Sequence, residues 1–324
     1  MQPVSYQISL GTTTYTPTDR PFLMALRCQM ALDIPLHSCR IVLGQAENIT
    51  VTPEDVVRVK LGYGNRLGTV FTGIVQSVET GIKHLTIQAI SACYPLTLTR
   101  FNKIYEQPTA GDIVTDVAKK KLKLVLKKVE NGLSFPVYAL GDRTTAYDHI
   151  SKLALQCGFD FYADPDDKII FAKYKAMKTH PVTYGKNLLR LSQTQPLPSI
   201  TDVAVYGESP ASQGQGNQAY AWLSKKEVKG VAGKNTRMGM SMIDPTARTQ
   251  ALASKIAQAT LTHATAKKRG QSRVLGDATI HLGDAINLSN LRSASQNGTF
   301  KVTGVTQCLD RFRGFYTDIS WREI

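Results

Sequence analysis

Two Gly-Asp pairs seven residues apart, Gly276-Asp277 and Gly283-Asp284, enclose His281 in the stretch GDATIHLGDAINL. Two carboxylates and an imidazole are what a metal site or an acid/base pair requires. They are also what two tight turns at the ends of a strand require. In a strand, Thr279 and His281 would share one face and Ile280 and Leu282 the other. At roughly 3.3 Å per residue the two carboxylates would then stand about 20 Å apart. That is too far for one metal or one shared proton, so the spacing favours turns.

The other reactive residues are as sparse. Asp148-His149 falls in a helical pattern, with His149 at the edge of an apolar face. Cys157 lies eight residues from His149 on the same helix, over two turns away. His37, His84, His180 and His263 show no H-E-x-x-H spacing. LGYGNRLG has Gly62, Gly64 and Gly68, but Leu67 stands where G-x-G-x-x-G needs its last glycine, and a hairpin loop is the better reading. There is no phosphate-binding G-x-x-x-x-G-K-[ST], no G-x-S-x-G and no convergent carboxylate pair. The sequence therefore predicts no catalytic residue, no cofactor site, no metal site and no enzyme.

Basic residues form two candidate surfaces. KKKLKLVLKKVE reads as a helix end followed by a strand with one solvated face, because no aromatic or arginine fork is interleaved. Lys225, Lys226, Lys229, Lys234 and Arg237 fall in a Gly-, Ser- and Gln-rich loop region, residues 208–241. They are the candidate partner-binding residues, suited to an acidic protein or a phosphate.

The 324 residues suffice for two or three domains, and 42% apolar with 20% charged residues describes a globular chain. No apolar run reaches the ~18 residues of a membrane-spanning helix. The N-terminus shows no signal-peptide pattern. Five scattered cysteines without C-x-x-C argue against a disulfide framework or zinc module. The net charge of +14 admits a nucleic-acid, anionic-membrane or acidic-protein partner.

The elements divide the chain into three. Residues 1 to about 98 read as short strands stopped by Gly, Pro and Asn, a sandwich or barrel pattern. TAGDIVTDVAKKKL starts a helix with Thr109 and Asp112 in capping-box spacing. TTAYDHISKLALQCG gives a second helix stopped at Gly158, and FDFYADPDDKIIFAKY a hairpin. KTHPVTYGKNLLRLSQTQPLPS reads as a connector with two Pro-marked breaks. DVAVYG is a strand, and another short strand is expected at Tyr220 to Leu223. Asp244-Pro245 is the expected start of a long helix running to about Lys268, after which the chain returns to β.

The outer parts resemble each other. TGIVQSV at 72–78 matches TGVTQCL at 303–309 in Thr, Gly and Gln, and Gly-Thr precedes both. The same order of strand, loop, strand, turn and strand surrounds each. Two related β units bracketing a small α+β unit follow, and the period is too long for a solenoid.

This order resembles the hub proteins of contractile phage tails, the late control protein D family, related to the N-terminal part of the VgrG spikes of type VI secretion. Gly111-Asp112-Ile113-Val114 match the family's capped helix. Ile150, Leu153, Ala154, Gly158 and Phe159 match its second helix, and Ile169 to Phe171 its hairpin strand. GDATIHLGDAINL, GTFKVTGVTQ and YTDISW are similar to its second barrel.

The resemblance implies an α+β, mainly β fold. A tube-like β-barrel domain (1–107), an α+β insertion (108–178) and a second tube-like barrel domain carrying the long helix (179–324) are expected. It implies a structural baseplate hub: a homotrimer whose pseudo-six-fold ring adapts the hexameric tail tube to a trimeric spike. Expected partners are the tail tube protein, a spike protein and other baseplate proteins, with DNA passing through the lumen, no membrane insertion and no cofactor. The expected place is the virion tail baseplate or an injection particle, assembled in the bacterial cytoplasm. Because the sequence stops at Ile324, directly after the second β unit, a separate spike and no fused cell-wall hydrolase are expected. The competing reading is a basic nucleic-acid-binding β-barrel protein.

Overall fold

The structure, a computed structural model, describes residues 3–19, 22–44, 49–197, 200–207, 228–234, 239–265 and 267–324. Seven strands make the first β unit: β1 (Val4–Leu10), β2 (Thr13–Tyr15), β3 (Phe22–Ala31), β4 (Ser38–Gly44), β5 (Val56–Tyr63), β6 (Arg66–Thr80) and β7 (His84–Ile90). Their order across the sheet is β2-β1-β5-β6-β7-β4-β3. Alternation decides the inner face: Ile8 and Leu10, Ile41 and Leu43, Val57, Val59 and Leu61, and Leu85, Ile87 and Ala89 are all buried in one cluster. LGYGNRLG is the β5–β6 hairpin, with Gly64 at a φ of +56° in its two-residue turn.

The middle unit is helix on sheet. It contains α1 (Pro95–Leu98), β8 (Lys103–Glu106), α2 (Ala110–Val114), β9 (Leu126–Val129), β10 (Val137–Leu140), α3 (Ala146–Cys157), β11 (Phe159–Ala163) and β12 (Ile169–Lys173). After α2 the helix continues as a π-helical stretch, Thr115–Lys121. The Thr109/Asp112 capping box forms as expected, and Thr145 with Asp148 makes a second one on α3. Gly158 ends α3 in the left-handed conformation.

The connector expected from KTHPVTYGKNLLRLSQTQPLPS is two strands, β13 (Thr179–Thr183) and β14 (Leu188–Thr194). Pro181 is tolerated because β13 is an edge strand, paired in parallel with β19 (Ala285–Ser289). Three further strands, β15 (Asp202–Tyr206), β16 (Lys229–Gly233) and β17 (Gly239–Ile243), form a sheet of their own. Lys229 and its neighbours are thus in a strand rather than a loop. The strand expected at 220–223 lies outside the described residues.

The long helix, α4, is Gln250–Ala264, shorter than the expected 245–268. Thr249 caps it by accepting from the Leu252 amide. Asp244 is occupied elsewhere: its carboxylate accepts from Thr246 and Gln156. The helix was expected with the second β unit, but Leu252, Ala253, Ile256 and Ala257 bury in the same core as Ile150 and Leu153 of α3. β15, β16 and α4 therefore share the core of the middle unit.

The remaining strands, β18 (Arg269–Leu275), β20 (Gly298–Asp310) and β21 (Gly314–Glu323), complete the second β unit with β13, β14 and β19. In sheet order the second unit reads β13-β19-β20-β21-β18-β14, and the first reads β1-β5-β6-β7-β4-β3. Taken in chain order these are the same topology. Even the irregularities repeat: one residue is inserted between Leu23 and Ala25 of β3, and one between Leu188 and Arg190 of β14. One difference is that β13 runs parallel to β19 where β1 is antiparallel to β5.

Closed barrels were expected, and here the structure differs. Among the described residues no sheet closes on itself. The two units share a 13-stranded sheet through antiparallel pairing of β3 with residues 304–310 of β20. β3, which would have to turn back to close the first unit, is given to the second.

The middle unit is fastened to the second β unit by an ion pair with little access to water. Lys301 Nζ lies 2.5 and 2.6 Å from the Asp160 carboxylate oxygens, with side-chain exposures of 4% and 13%. Burial pushes the Lys301 ammonium down and Asp160 pulls it back up. Lys301→Met leaves that carboxylate buried alone and is expected to cost about 3–5 kcal/mol in urea unfolding. Lys301→Met combined with Asp160→Leu is expected to recover most of it. Equal losses in the single and double variants would mean the pair contributes only through shape.

Candidate assembly interface

The two Gly-Asp pairs prove to be turns, with a difference. No strand separates them; residues 276–284 form two successive turns leading into β19. Asp277 Oδ1 accepts from the Thr279 amide and hydroxyl at 2.9 and 2.7 Å. Asp284 Oδ2 accepts from the His281 amide at 3.1 Å and lies 2.8 Å from His180 Nε2, both side chains being buried. The glycines are demanded by packing: a Cβ on Gly276 would come 2.2 Å from the Phe315 ring, and one on Gly283 2.2 Å from the Tyr162 hydroxyl. Burial holds the His281 imidazole below its usual range, against the pull of Asp284. Each carboxylate serves its own turn, and no group of three metal-ligating side chains occurs among the described residues.

His149 sits at the helix edge as its spacing predicts, within 2.8 Å of the Thr144 hydroxyl and 3.2 Å of the Gly141 carbonyl. Of the five candidate basic residues, Lys225, Lys226 and Arg237 lie outside the described residues. Lys229 is exposed at the start of β16, its ammonium 4.9 Å from the centre of the Tyr206 ring. Lys234 follows the same strand, and its amide donates to the Thr201 carbonyl. The structure places these two at opposite ends of one short strand.

The surfaces that sequence reading passed over are sheet edges and hairpin tips. β14 pairs with β18 and ends the path of the 13-stranded sheet, while its counterpart β3 is covered on both sides. β6 pairs with β5 only as far as Ile74, so among the described residues no strand lies on that side of residues 76–80. In the second unit the corresponding stretch of β20 carries β3. Each unit also ends in a hairpin whose tip presents a wholly exposed apolar side chain: Ile82 between β6 and β7, and Phe312 between β20 and β21. The available signal was an apolar residue inside a turn, in TGIK and RFRG.

Buried polar groups hold these edges in fixed relation to the middle unit. Ser91 Oγ and the Ala92 amide both donate to the Asp167 carboxylate. Asp244 binds Gln156 and lies 3.2 Å from Lys152, which joins the turn before α4 to α3. His37, in the β3–β4 loop, donates from Nε2 to the Ala163 carbonyl at 2.9 Å, leaving Nδ1 buried without a partner. Its surroundings include Ile34, Cys93, Leu96 and Ile169.

The family described as the Alg8 N-terminal domain matches residues 44–310. No curated protein matches the chain. Among solved structures, the 43 kDa tail protein of prophage MuSo2 from Shewanella oneidensis is similar at 11% identity and a TM-score of 0.73, over 99% of this chain and 98% of that one. The tail protein of Neisseria meningitidis MC58 is similar at 13% identity and a TM-score of 0.73, over 99% and 96%. An Escherichia coli component of the type VI secretion system, described as similar to the phage T4 tail proteins gp27 and gp5, matches at 12% identity and a TM-score of 0.64, over 98% and 76%. The fold is that of phage tail proteins and their secretion-system counterparts.

The His37 environment sets a pH dependence. Burial lowers its imidazole from the ordinary 6.5 to about 4. The unfolded chain therefore takes the proton first as pH falls. Stability is full above about pH 6.5, declines toward pH 4 and levels off below it, a loss on the order of 3 kcal/mol. Urea titrations at pH 7, 6 and 5 are expected to show this loss in the wild type and a smaller one in His37→Gln. Parallel pH profiles for the two would assign the effect to other groups.

Proposed function

The chain belongs to the family of the Alg8 N-terminal domain and has the fold of phage tail proteins, and from these premises we propose that it is a baseplate hub of a contractile injection machine. The role is structural and not enzymatic. Three chains form a ring, and each chain supplies two β units. The ring then offers six near-equivalent units to a hexameric tail tube and three-fold symmetry to a trimeric spike. The observation that carries this reading is the duplicated topology, in which two units with the same strand order and the same β3/β14 insertion occur in one chain.

The hairpin tips fit the same arithmetic. A six-fold partner needs six similar contacts, and each β unit carries one exposed apolar tip, Ile82 or Phe312. We assign these tips to the tube side of the ring. The basic residues Lys229 and Lys234, with Lys225, Lys226 and Arg237, suit an acidic face of the spike or tube. Other baseplate proteins would surround the ring, and DNA would pass through its lumen. The particle would be put together in the bacterial cytoplasm. KKKLKLVLKKVE lacks the aromatic interleaving of a single-strand groove, so +14 alone does not favour the nucleic-acid-binding alternative.

The mass of the purified protein in solution, with electron-microscope images of the same sample, tests the ring. A trimer with six-lobed density is the expected result. A monomer that stays monomeric with the spike protein and binds DNA with a steep salt dependence would replace this reading with the alternative. Ile82→Asp combined with Phe312→Asp is expected to leave the trimer mass unchanged and abolish capture of the tube protein. Unchanged capture would remove the tips from the tube-facing surface.

A further inference from the structure

We propose that Cys28 and Cys39 are a site of cross-strand disulfide formation, an oxidation-set staple on the strand that joins the two β units. The site lies within one chain and does not depend on the ring reading above. Both residues are free thiols in the structure. The ladder puts them directly opposite each other on β3 and β4. Directly opposed residues of an antiparallel pair have Cα atoms about 4.5–5.5 Å apart, inside the span that a disulfide bridges. The side chains also point at each other: the sulfurs are 2.8 Å apart, and both residues are 0% exposed in the core of the first β unit. The remaining thiols stand elsewhere. Cys308 is opposite Arg27 on β20, so it belongs to the other face of the sheet. Cys93 and Cys157 belong to the core of the middle unit. One pair out of five thiols is thus selected by strand register, which no local spacing motif announces.

The oxidant is a small-molecule disulfide such as oxidised glutathione. One cysteine thiolate attacks it, forms a mixed disulfide and expels one glutathione thiolate. The second cysteine, also as thiolate, attacks the protein sulfur of that mixed disulfide, closes the Cys28–Cys39 bond and expels the second glutathione. The protein loses two protons and two electrons, and the small disulfide leaves as two thiols. Burial and the neighbouring Cys39 push the Cys28 thiol well up, so the closed hairpin holds few thiolates. The exchange therefore follows opening of β3 from β4, and the reclosed hairpin shields the bond.

The position of the pair gives the bond its effect. β3 is held by β4 on one side and by β20 on the other. A bond from Cys28 to Cys39 spans the β3–β4 loop, from which His37 reaches the Ala163 carbonyl of the middle unit. It fixes the seam strand and that anchor together. In a reducing compartment the hairpin is free to open and reclose. In an oxidising one it is locked shut, because a disulfide persists there.

Arg27 and Arg40 bound a tryptic peptide, CQMALDIPLHSCR, that contains both cysteines and no other. The full chain is incubated with oxidised glutathione in urea below its unfolding midpoint, then alkylated and digested. The expected product is this peptide without alkylation and two hydrogens lighter. Half-buried Cys157, on a different peptide, reports that the reagent has acted. The oxidised chain is expected to unfold at a urea midpoint about 0.5–1 M above the reduced one. In Cys39→Ala the exchange is expected to stop with one glutathione on Cys28, and the midpoint shift is expected to vanish. Modified Cys157 beside two alkylated thiols in the peptide 28–40 would overturn the disulfide. A bond that forms and leaves the midpoint unchanged would overturn its role as a staple.

Discussion

Antiparallel pairing of β3 with the far half of β20 is the contact on which the rest of the architecture depends. Each β unit alone would have β3 or its duplicate as a bare edge, with unpaired amides and carbonyls along one side. Pairing across units satisfies those groups and fuses two cores that are otherwise distinct. Leu26 and Leu309 meet on the inner face of this seam, and Met30 opposite Val305 continues it into the second core. Because the side-chain period of a strand is two, a slip of one residue would turn these apolar residues outward. The seam therefore fixes the register and relative rotation of the two units.

The middle unit is attached differently, through a few buried polar contacts. Lys301 with Asp160, His37 with the Ala163 carbonyl, and the backbone and Ser91 donors on Asp167 each join residues more than 70 positions apart in sequence. Buried charges of this kind add little net stability compared with apolar packing, but leaving one partner alone is costly. Their effect is to allow one docking arrangement of the unit and penalise neighbouring ones. The residues around α4 join this unit because α4 packs on β15 and β16 and on α3, burying Leu252, Ile256 and Ala257 in one shared core.

Much of this organisation was legible in the sequence, and the failures have identifiable causes. The capping box at Thr109, the stop at Gly158 and the β5–β6 hairpin were readable because each rests on local chemistry. The duplication was readable from the repeated strand order, although the ladders align Gln76 of β6, and not Thr72 of the seven-residue match, with Thr303 of β20. β13 and β14 were hidden: Pro181 reads as a break unless the strand is known to be an edge, and the insertion at Leu189 interrupts alternation in β14. Asp244-Pro245 imitated a helix start because an N-cap carboxylate and a carboxylate claimed by Gln156 look alike in sequence. The Gly-Asp turns were read correctly as turns, but the strand assumed between them could not be distinguished from a second turn without the Phe315 and Tyr162 rings that press on the glycines. Sheet closure was the least legible feature, since it depends on which partner β3 takes.

An open sheet edge also explains a difference between duplicated strands that sequence similarity alone would leave unexplained. β3 carries Ala25 and Leu26 where β14 carries Arg190 and Leu191, and of the two only β14 ends the path of the sheet among the described residues. An edge that is covered within its own chain can be fully apolar on its inner face. An open edge needs protection against pairing with any strand it meets, and a charge supplies it. Arg190 is that device on β14; the inserted residue is shared with β3 and does not tell the two strands apart. The duplicate of an apolar seam can hold an arginine because the edge it stands on has no strand beside it among the described residues.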